Sequence, residues 1–102
     1  MIFVVATIDL NPGTRAAFLV EFKKNVPLVL AEDGCISYAP AVDAETGFPT
    51  QYKTGPNSVT VVEQWASLDA LKAHAAAPHM KTYRVAVKDF VKSVELRVFD
   101  PA

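Results

Sequence analysis

SVTVVEQWASLDALKAHAAAPHM, residues 58–80, decides the fold because its apolar period changes partway along. From Ser58 to Trp65 the period is two: Val59, Val61, Glu63 and Trp65 share one face, and Thr60, Val62 and Gln64 share the other. That is a strand. Ser67 then offers a side-chain oxygen to the first free N–H groups of a helix, and Leu68 and Leu71 mark its buried side. Pro78 lacks the N–H that a helix interior needs, so it interrupts this helix. Met80, Tyr83, Arg84 and Val87 resume at helical spacing, which predicts a further helical segment to about Val91.

Outward from this stretch the elements alternate in kind. Ile2 to Asp9 is β-branched and aromatic and reads as a first strand. Asn11-Pro12-Gly13-Thr14 is a turn, with Asn11 or Thr14 as the cap of the next helix. Phe18, Phe22 and Val26 recur four apart, with Leu19 and Val29 beside them, so that helix has one apolar face. Pro27 should kink or reset it, and Gly34 is placed to stop it. Cys35 to Val42 is a second strand, with Ile36, Tyr38, Pro40 and Val42 on one face and Pro40 marking an edge or bulge. Ala44 to Asn57 is a long connection full of turn residues, expected to be an ordered hairpin or arm. Val94, Leu96 and Val98 alternate with Glu95 and Arg97 in a last strand. The order β-α-β-β-α-β is a ferredoxin-like α+β fold whose antiparallel sheet carries helices on one face only.

The chain of 102 residues reads as one domain spanning 1–102. At 51% hydrophobic it holds more apolar material than so small a core can use, which points to a partner subunit or a ligand. Lys plus Arg number 10 and Asp plus Glu 11, so no basic footprint for nucleic acid or an anionic membrane is present. The single cysteine, Cys35, excludes an internal disulfide and a multi-cysteine zinc site. The apolar start is too short, and too soon ended by Asp9, for a signal peptide or membrane span, and the default location is cytoplasmic.

No glycine-rich phosphate loop, dinucleotide fingerprint or nucleophile elbow occurs, so no flavin or nicotinamide site is recognisable and no cofactor is expected. On one continuous helix His74 and His79 would point about 140° apart. Pro78 also separates them, so they make a poor metal pair and no metal site is expected.

Glu63-Gln64-Trp65, Ala70-Leu71-Lys72-Ala73-His74 and Ala77-Pro78-His79-Met80 together resemble the antibiotic biosynthesis monooxygenase domain family, which includes the quinol monooxygenases. Gly34-Cys35-Ile36-Ser37-Tyr38 is similar to that family's helix end and second strand. The resemblance implies a ferredoxin-like homodimer whose two sheets pack into a dimeric α+β barrel. It also implies a cofactor-independent monooxygenase acting with O2 on a small phenolic, quinol or anthrone-like aromatic substrate, whose anion itself reduces O2. Haem-degrading relatives place an Asn, a Trp and a His where Thr7, His74 and Arg84 stand here, which sets haem degradation aside. The connection from Ala44 to Asn57 reads as longer than in the compact quinol monooxygenases.

Within that frame His74 is the candidate base, since an unperturbed imidazole titrates near neutrality; the competing reading is a histidine that ties a helix end to a strand. Glu63 is the second catalytic candidate, or else a structural partner of His74 or of a helix N-terminus. Trp65, Tyr38, Tyr83, His79 and Phe90 are candidates to bind a planar ring, each against a reading as ordinary core or surface. Arg84 could meet Glu63 or a substrate anion, against an equal reading as part of a solvated face. Two other functions stay open: a non-catalytic dimeric small-molecule-binding or stress-response protein of this fold, and an isomerase or decarboxylase using the same base without O2.

Overall fold

A computed structural model describes residues 1–102. The chain runs β1 (Ile2–Leu10), α1 (Arg15–Leu30), β2 (Cys35–Ala41), β3 (Ser58–Trp65), α2 (Leu68–Ala75), α3 (Pro78–Val87) and β4 (Val91–Phe99). The four strands form one sheet in the order β2-β3-β1-β4, with every neighbouring pair antiparallel. This is the ferredoxin-like arrangement, with the second helix divided in two.

The period of two puts Val4, Ala6 and Ile8 of β1 beside Val59, Val61 and Glu63 of β3 on the helix side of the sheet. Phe18, Phe22 and Val29 of α1, with Met80 and Val87 of α3, close over them. Phe22 lies nearly parallel to the Tyr38 ring, with centroids 5.5 Å apart and planes 8° apart, and meets Tyr83 edge-on. Burying a side chain such as Phe22 contributes about 1.5–3 kcal/mol, so this aromatic group holds α1 and α3 to the sheet. Phe22→Ala would cost about 3–5 kcal/mol.

Several local expectations change in three dimensions. Pro27 sits inside α1 without ending it, and the helix stops at Leu30, before Gly34. Thr14 occupies the N-cap, but its hydroxyl donates to Asn11 O at 2.7 Å and caps no helical N–H. Ser67 does cap α2, accepting from Ala70 N at 3.1 Å. Leu68, expected on the buried side, is exposed, and Leu71 packs against the core. In β2 the register slips between Cys35 and Ser37, leaving Ile36 without a partner and exposed; a bulge breaks the alternation that grouped it with Tyr38. Pro40 lies on an edge strand, where a missing donor is tolerated. The last helix ends at Val87, and Val91 already pairs with Leu10 as the start of β4.

Residues 42–57 contain no regular secondary structure. They form an arm closed at its base, where Asp43 accepts from Thr54 N, Thr54 Oγ1 and Gly55 N at 2.8–3.1 Å. Thr46 and Gln51 tie its tip. The hairpin reading is therefore corrected to an irregular ordered arm, because its bonds run mainly through side chains. Phe48 and Tyr52 stand exposed on it.

β4 is the outer strand beyond the helix layer. Val94, Leu96 and Val98 pair with Ile8, Ala6 and Val4 and so face the helix side, yet Val94 and Leu96 remain 58% and 60% exposed. The space beside them is where the candidate site lies.

Candidate functional site

A cavity of about 450 Å³ opens between the helices and the β1–β4 side of the sheet. Twelve of its sixteen lining residues are hydrophobic, among them Ile8, Phe22, Val61, Met80, Val87 and Leu96. The other four are Glu63 from β3, His74 from the last turn of α2, Arg84 from α3 and Lys88 beyond it, and two of the twelve, Tyr38 from β2 and Tyr83 from α3, add hydroxyls. A mostly apolar hollow with a few convergent polar groups is the usual form of a small-molecule site.

His74 is held from behind. Its ring lies 4.7 Å from Trp65, centroid to centroid, and its Nδ1 is 2.7 Å from Glu32 Oε2. A carboxylate accepts, so Nδ1 carries the hydrogen and Nε2, which has no protein partner, presents its lone pair. Glu32 stands in the turn between α1 and β2, 42 residues away in sequence. The approach is possible because Gly34, at φ +82°, lets α2 come close: a Cβ on Gly34 would lie 2.6 Å from Ala70 Cβ. Ala66 N also donates to Gly34 O at 2.7 Å, fixing the start of α2.

Glu63 is buried. Its Oε1 accepts from Trp65 Nε1 at 2.9 Å, so its partner is the neighbouring indole and neither His74 nor a helix N-terminus. Burial pushes its carboxyl above the ordinary range, an effect that the Trp65 donor and the nearby His74 offset in part and Glu32 reinforces. Tyr38 and Tyr83 have no protein partner for their hydroxyls. Burial raises both well above the usual phenol range, so both stay protonated donors at any working pH. The Cys35 thiol is likewise raised, first by burial and then by Glu32 and Glu63, which disfavours its thiolate.

Tyr38, Tyr83, Glu63 and His74 thus meet at one cavity. Trp65 does not line it: the indole is fully buried beneath His74 and supports both His74 and Glu63. Phe90 also lies off the wall, packed on the core where α3 turns into β4. His79 faces a separate shallow depression on the outer surface. Arg84 does not pair with Glu63; its Nη2 donates to Ala75 O, a free carbonyl at the end of α2, at 2.8 Å.

The two histidines do not diverge as expected of one helix. Pro78 starts a new helix, and His79 Nε2 comes within 3.3 Å of the same Glu32 oxygen that His74 meets. Only His74 makes a hydrogen bond to that oxygen, while His79 Nε2 makes none, and no group of three or more His, Cys, Asp or Glu side chains is placed to hold a metal ion. Glu32 itself carries no motif, and only long-range packing brings it to the site. No helix is long and apolar enough to cross a membrane.

Comparison with known proteins follows the same lines. The sequence profile described as "Antibiotic biosynthesis monooxygenase" matches residues 1–86. The chain is 44% identical over 103 aligned positions to a protein of Escherichia coli K12 named "Probable quinol monooxygenase YgiN", covering 99% of this chain and 98% of that one. The protein of the same name from Shigella flexneri matches equally. Such even coverage corrects the reading of residues 44–57 as a long addition to a quinol monooxygenase frame. Among solved structures, Rv0793 of Mycobacterium tuberculosis has a TM-score of 0.79 at 25% identity, covering 99% of this chain and 94% of its own. PA3566 of Pseudomonas aeruginosa has a TM-score of 0.80 at 22% identity, covering 99% and 93%, and shares the fold.

Proposed function

This chain belongs to the antibiotic biosynthesis monooxygenase family and is by class a monooxygenase, and from that premise we propose that it oxidises a small quinol or related phenol with O2 and without a cofactor, as one domain over residues 1–102 that pairs into a homodimer. The observation that carries the reading is the cavity, where an apolar wall surrounds a histidine whose outer nitrogen is held by a carboxylate and whose inner nitrogen is free.

In this reading His74 Nε2 takes the hydroxyl proton of the substrate while Glu32 holds Nδ1, the role a carboxylate plays behind a catalytic histidine. Tyr38 and Tyr83 donate hydrogen bonds to the substrate oxygens, and these bonds strengthen as the oxygens become anionic. Phe22, Val61, Met80 and Leu96 flank the ring and keep water out. The anion then reduces O2, which dissolves readily in such surroundings. For a simple quinol the reaction balances as quinol plus O2 giving hydroxyquinone plus water. The name borne by YgiN supports the quinol class.

The homodimer is supported by the apolar surface that one chain leaves open. Phe3, Val5 and Val62 face away from the helices, and Phe99 pairs with Phe3 on that same side. Val62 and Phe99 are exposed. Packing this face on a second copy gives the dimeric barrel.

The test is O2 consumption by purified protein with reduced benzoquinones and naphthoquinones. Uptake above the enzyme-free rate, with one atom of labelled O2 in the product, is the expected result. No uptake across the panel, with binding retained, would favour a carrier over an enzyme.

A further inference from the structure

We propose that Glu32 and His79 form a proton store behind His74, which holds the substrate's proton outside the cavity while O2 reacts inside it. The proposal rests on the oxygenase reading above and adds two residues that do not touch the substrate.

One oxygen joins the two rings: Glu32 Oε2 is 2.7 Å from His74 Nδ1 and 3.3 Å from His79 Nε2. The far side of His79 sets its tautomer. Its Nδ1 lies 3.2 Å from Asn25 Oδ1, and Asn25 Nδ2 donates to Met80 Sδ at 3.3 Å. An amide oxygen only accepts, so His79 Nδ1 carries the hydrogen. The neutral ring then turns the bare lone pair of Nε2 toward a carboxylate. His79 Nε2 is buried and, in this orientation of the ring, too poorly aligned with Glu32 Oε2 to make a hydrogen bond. An unpaired buried acceptor beside another acceptor is costly, and with a small turn of the His79 ring a single proton on Nε2 would satisfy both. The structure therefore contains an unfilled proton seat one carboxylate away from the proposed base.

Its surroundings suit storage. His79 lines an outer depression with Glu21 and Lys24 of α1 and Thr82 of α3, whereas His74 lines the cavity. Glu63 of β3 faces His74, and Cys35 and Tyr38 of β2 lie near Glu32. The two latter groups are uncharged, so the charged groups facing the circuit are Glu63 on the His74 side and the Glu21–Lys24 pair on the His79 side.

The transfers balance. The substrate O–H bond breaks and an Nε2–H bond forms on His74. The Nδ1–H bond of His74 breaks as Glu32 Oε2 takes its proton, and Oε2 passes it to His79 Nε2. No electrons leave the substrate in these steps. His74 is then neutral, and no imidazolium sits beside the substrate anion to hold back its electrons; Coulomb attraction falls as the positive charge moves away. After the quinol has reduced O2, the reduced oxygen takes the proton on His74 Nε2 and leaves as water. The proton on His79 returns through Glu32 to Nδ1, which restores the starting tautomer.

Two measurements test this. The first is nitrogen NMR of both imidazoles against pH in the wild type and in Glu32→Gln, without substrate. The expected wild-type result is a neutral His79 protonated at Nδ1 and two titrations that depend on one another, a coupling that Glu32→Gln abolishes. Independent titrations, or a neutral His79 protonated at Nε2, would overturn the store. The second is quinol turnover by His79→Gln with and without imidazole. The expected kcat falls about tenfold at unchanged KM, less than the ~10²–10⁴-fold of losing a base outright, and imidazole restores it through the outer depression. An unchanged kcat, or a loss that imidazole does not mend in a folded variant, would also overturn it. Coupled titrations in a wild type that oxidises no quinol would support the store and remove the oxygenase reading instead.

Discussion

Gly34→Ala should unseat the helix that carries His74. Gly34 has φ +82°, and a Cβ there would lie 2.6 Å from Ala70 Cβ. The left-handed backbone costs an alanine about 1–2 kcal/mol. The overlap is more than an ångström short of ordinary carbon–carbon contact and forces α2 to shift, which costs about 1–3 kcal/mol more. Together that is about 2–5 kcal/mol, against a total of about 5–15 kcal/mol for a domain of this size. In urea or thermal unfolding at fixed protein concentration, Tm should drop by roughly 8 °C or more, at about 4–8 °C per kcal/mol. Gly13→Ala is the control: φ is +80° and nothing lies within 4 Å, so it incurs the backbone cost alone. The double variant Gly34→Ala/Ala70→Gly should be less destabilised than the sum of its singles by about 1–3 kcal/mol, because the overlap is gone. Ala70 lies one turn before His74, so the displaced helix should also lengthen the 2.7 Å contact with Glu32 and lower turnover in the fraction that stays folded. Equal losses for Gly34→Ala and Gly13→Ala, with strictly additive doubles, would refute the close approach as the reason for glycine.

His74→Ala should keep the fold and lower turnover of a confirmed quinol about 10²–10⁴-fold, with Tyr38→Phe losing less because only one donor is removed; a wild-type rate in folded His74→Ala excludes it as the base. The raised carboxyl of Glu63 means that, between the ordinary carboxylate value and the raised one, the folded chain keeps a proton the unfolded chain has lost, so stability falls as pH rises through that window. Glu63→Gln retains an oxygen for Trp65 Nε1 and should flatten that slope in chemical unfolding, while an unchanged slope would place it elsewhere. Asp43 is held below the ordinary range by the N–H groups of Thr54 and Gly55, so the order it gives the arm is present above that range and lost as pH falls through the lowered value; Asp43→Ala should speed hydrogen exchange across residues 44–57, with strand amides unaffected. Sedimentation should give a dimer at micromolar concentration, and Val62→Asp should shift it toward monomer; a monomeric wild type removes the barrel.

What could be read along the chain was whatever depends on neighbours in sequence. The switch of period at Ala66-Ser67 placed β3 and α2, and Pro78 marked a real boundary, because strand alternation and helix capping act within a few residues. Tyr38, Glu63, His74 and Tyr83 were also legible, since each lies on the apolar face of its element and so must point between helices and sheet. The errors have one source: a period is a statement about a regular element, and it fails where the element does. The bulge in β2 turns Ile36 outward. The end of α2 at Ala75 and the fresh start at Pro78 change the direction of His79, so two side chains expected to diverge converge on one oxygen. Glu32 was invisible for a stronger reason. It lies in a turn, has no periodic neighbours, and reaches His74 only because Gly34 lets α2 settle against the start of β2. The sequence trace of that contact is a pair of small residues, Gly34 and Ala70, far apart in the chain. Each also has a local reason to be small, since Gly34 has φ +82° and alanine at position 70 is a good helix former, so neither draws notice in the sequence. Only the packed structure shows the further reason they share, a close approach of α2 to the start of β2 that lets a carboxylate reach a histidine.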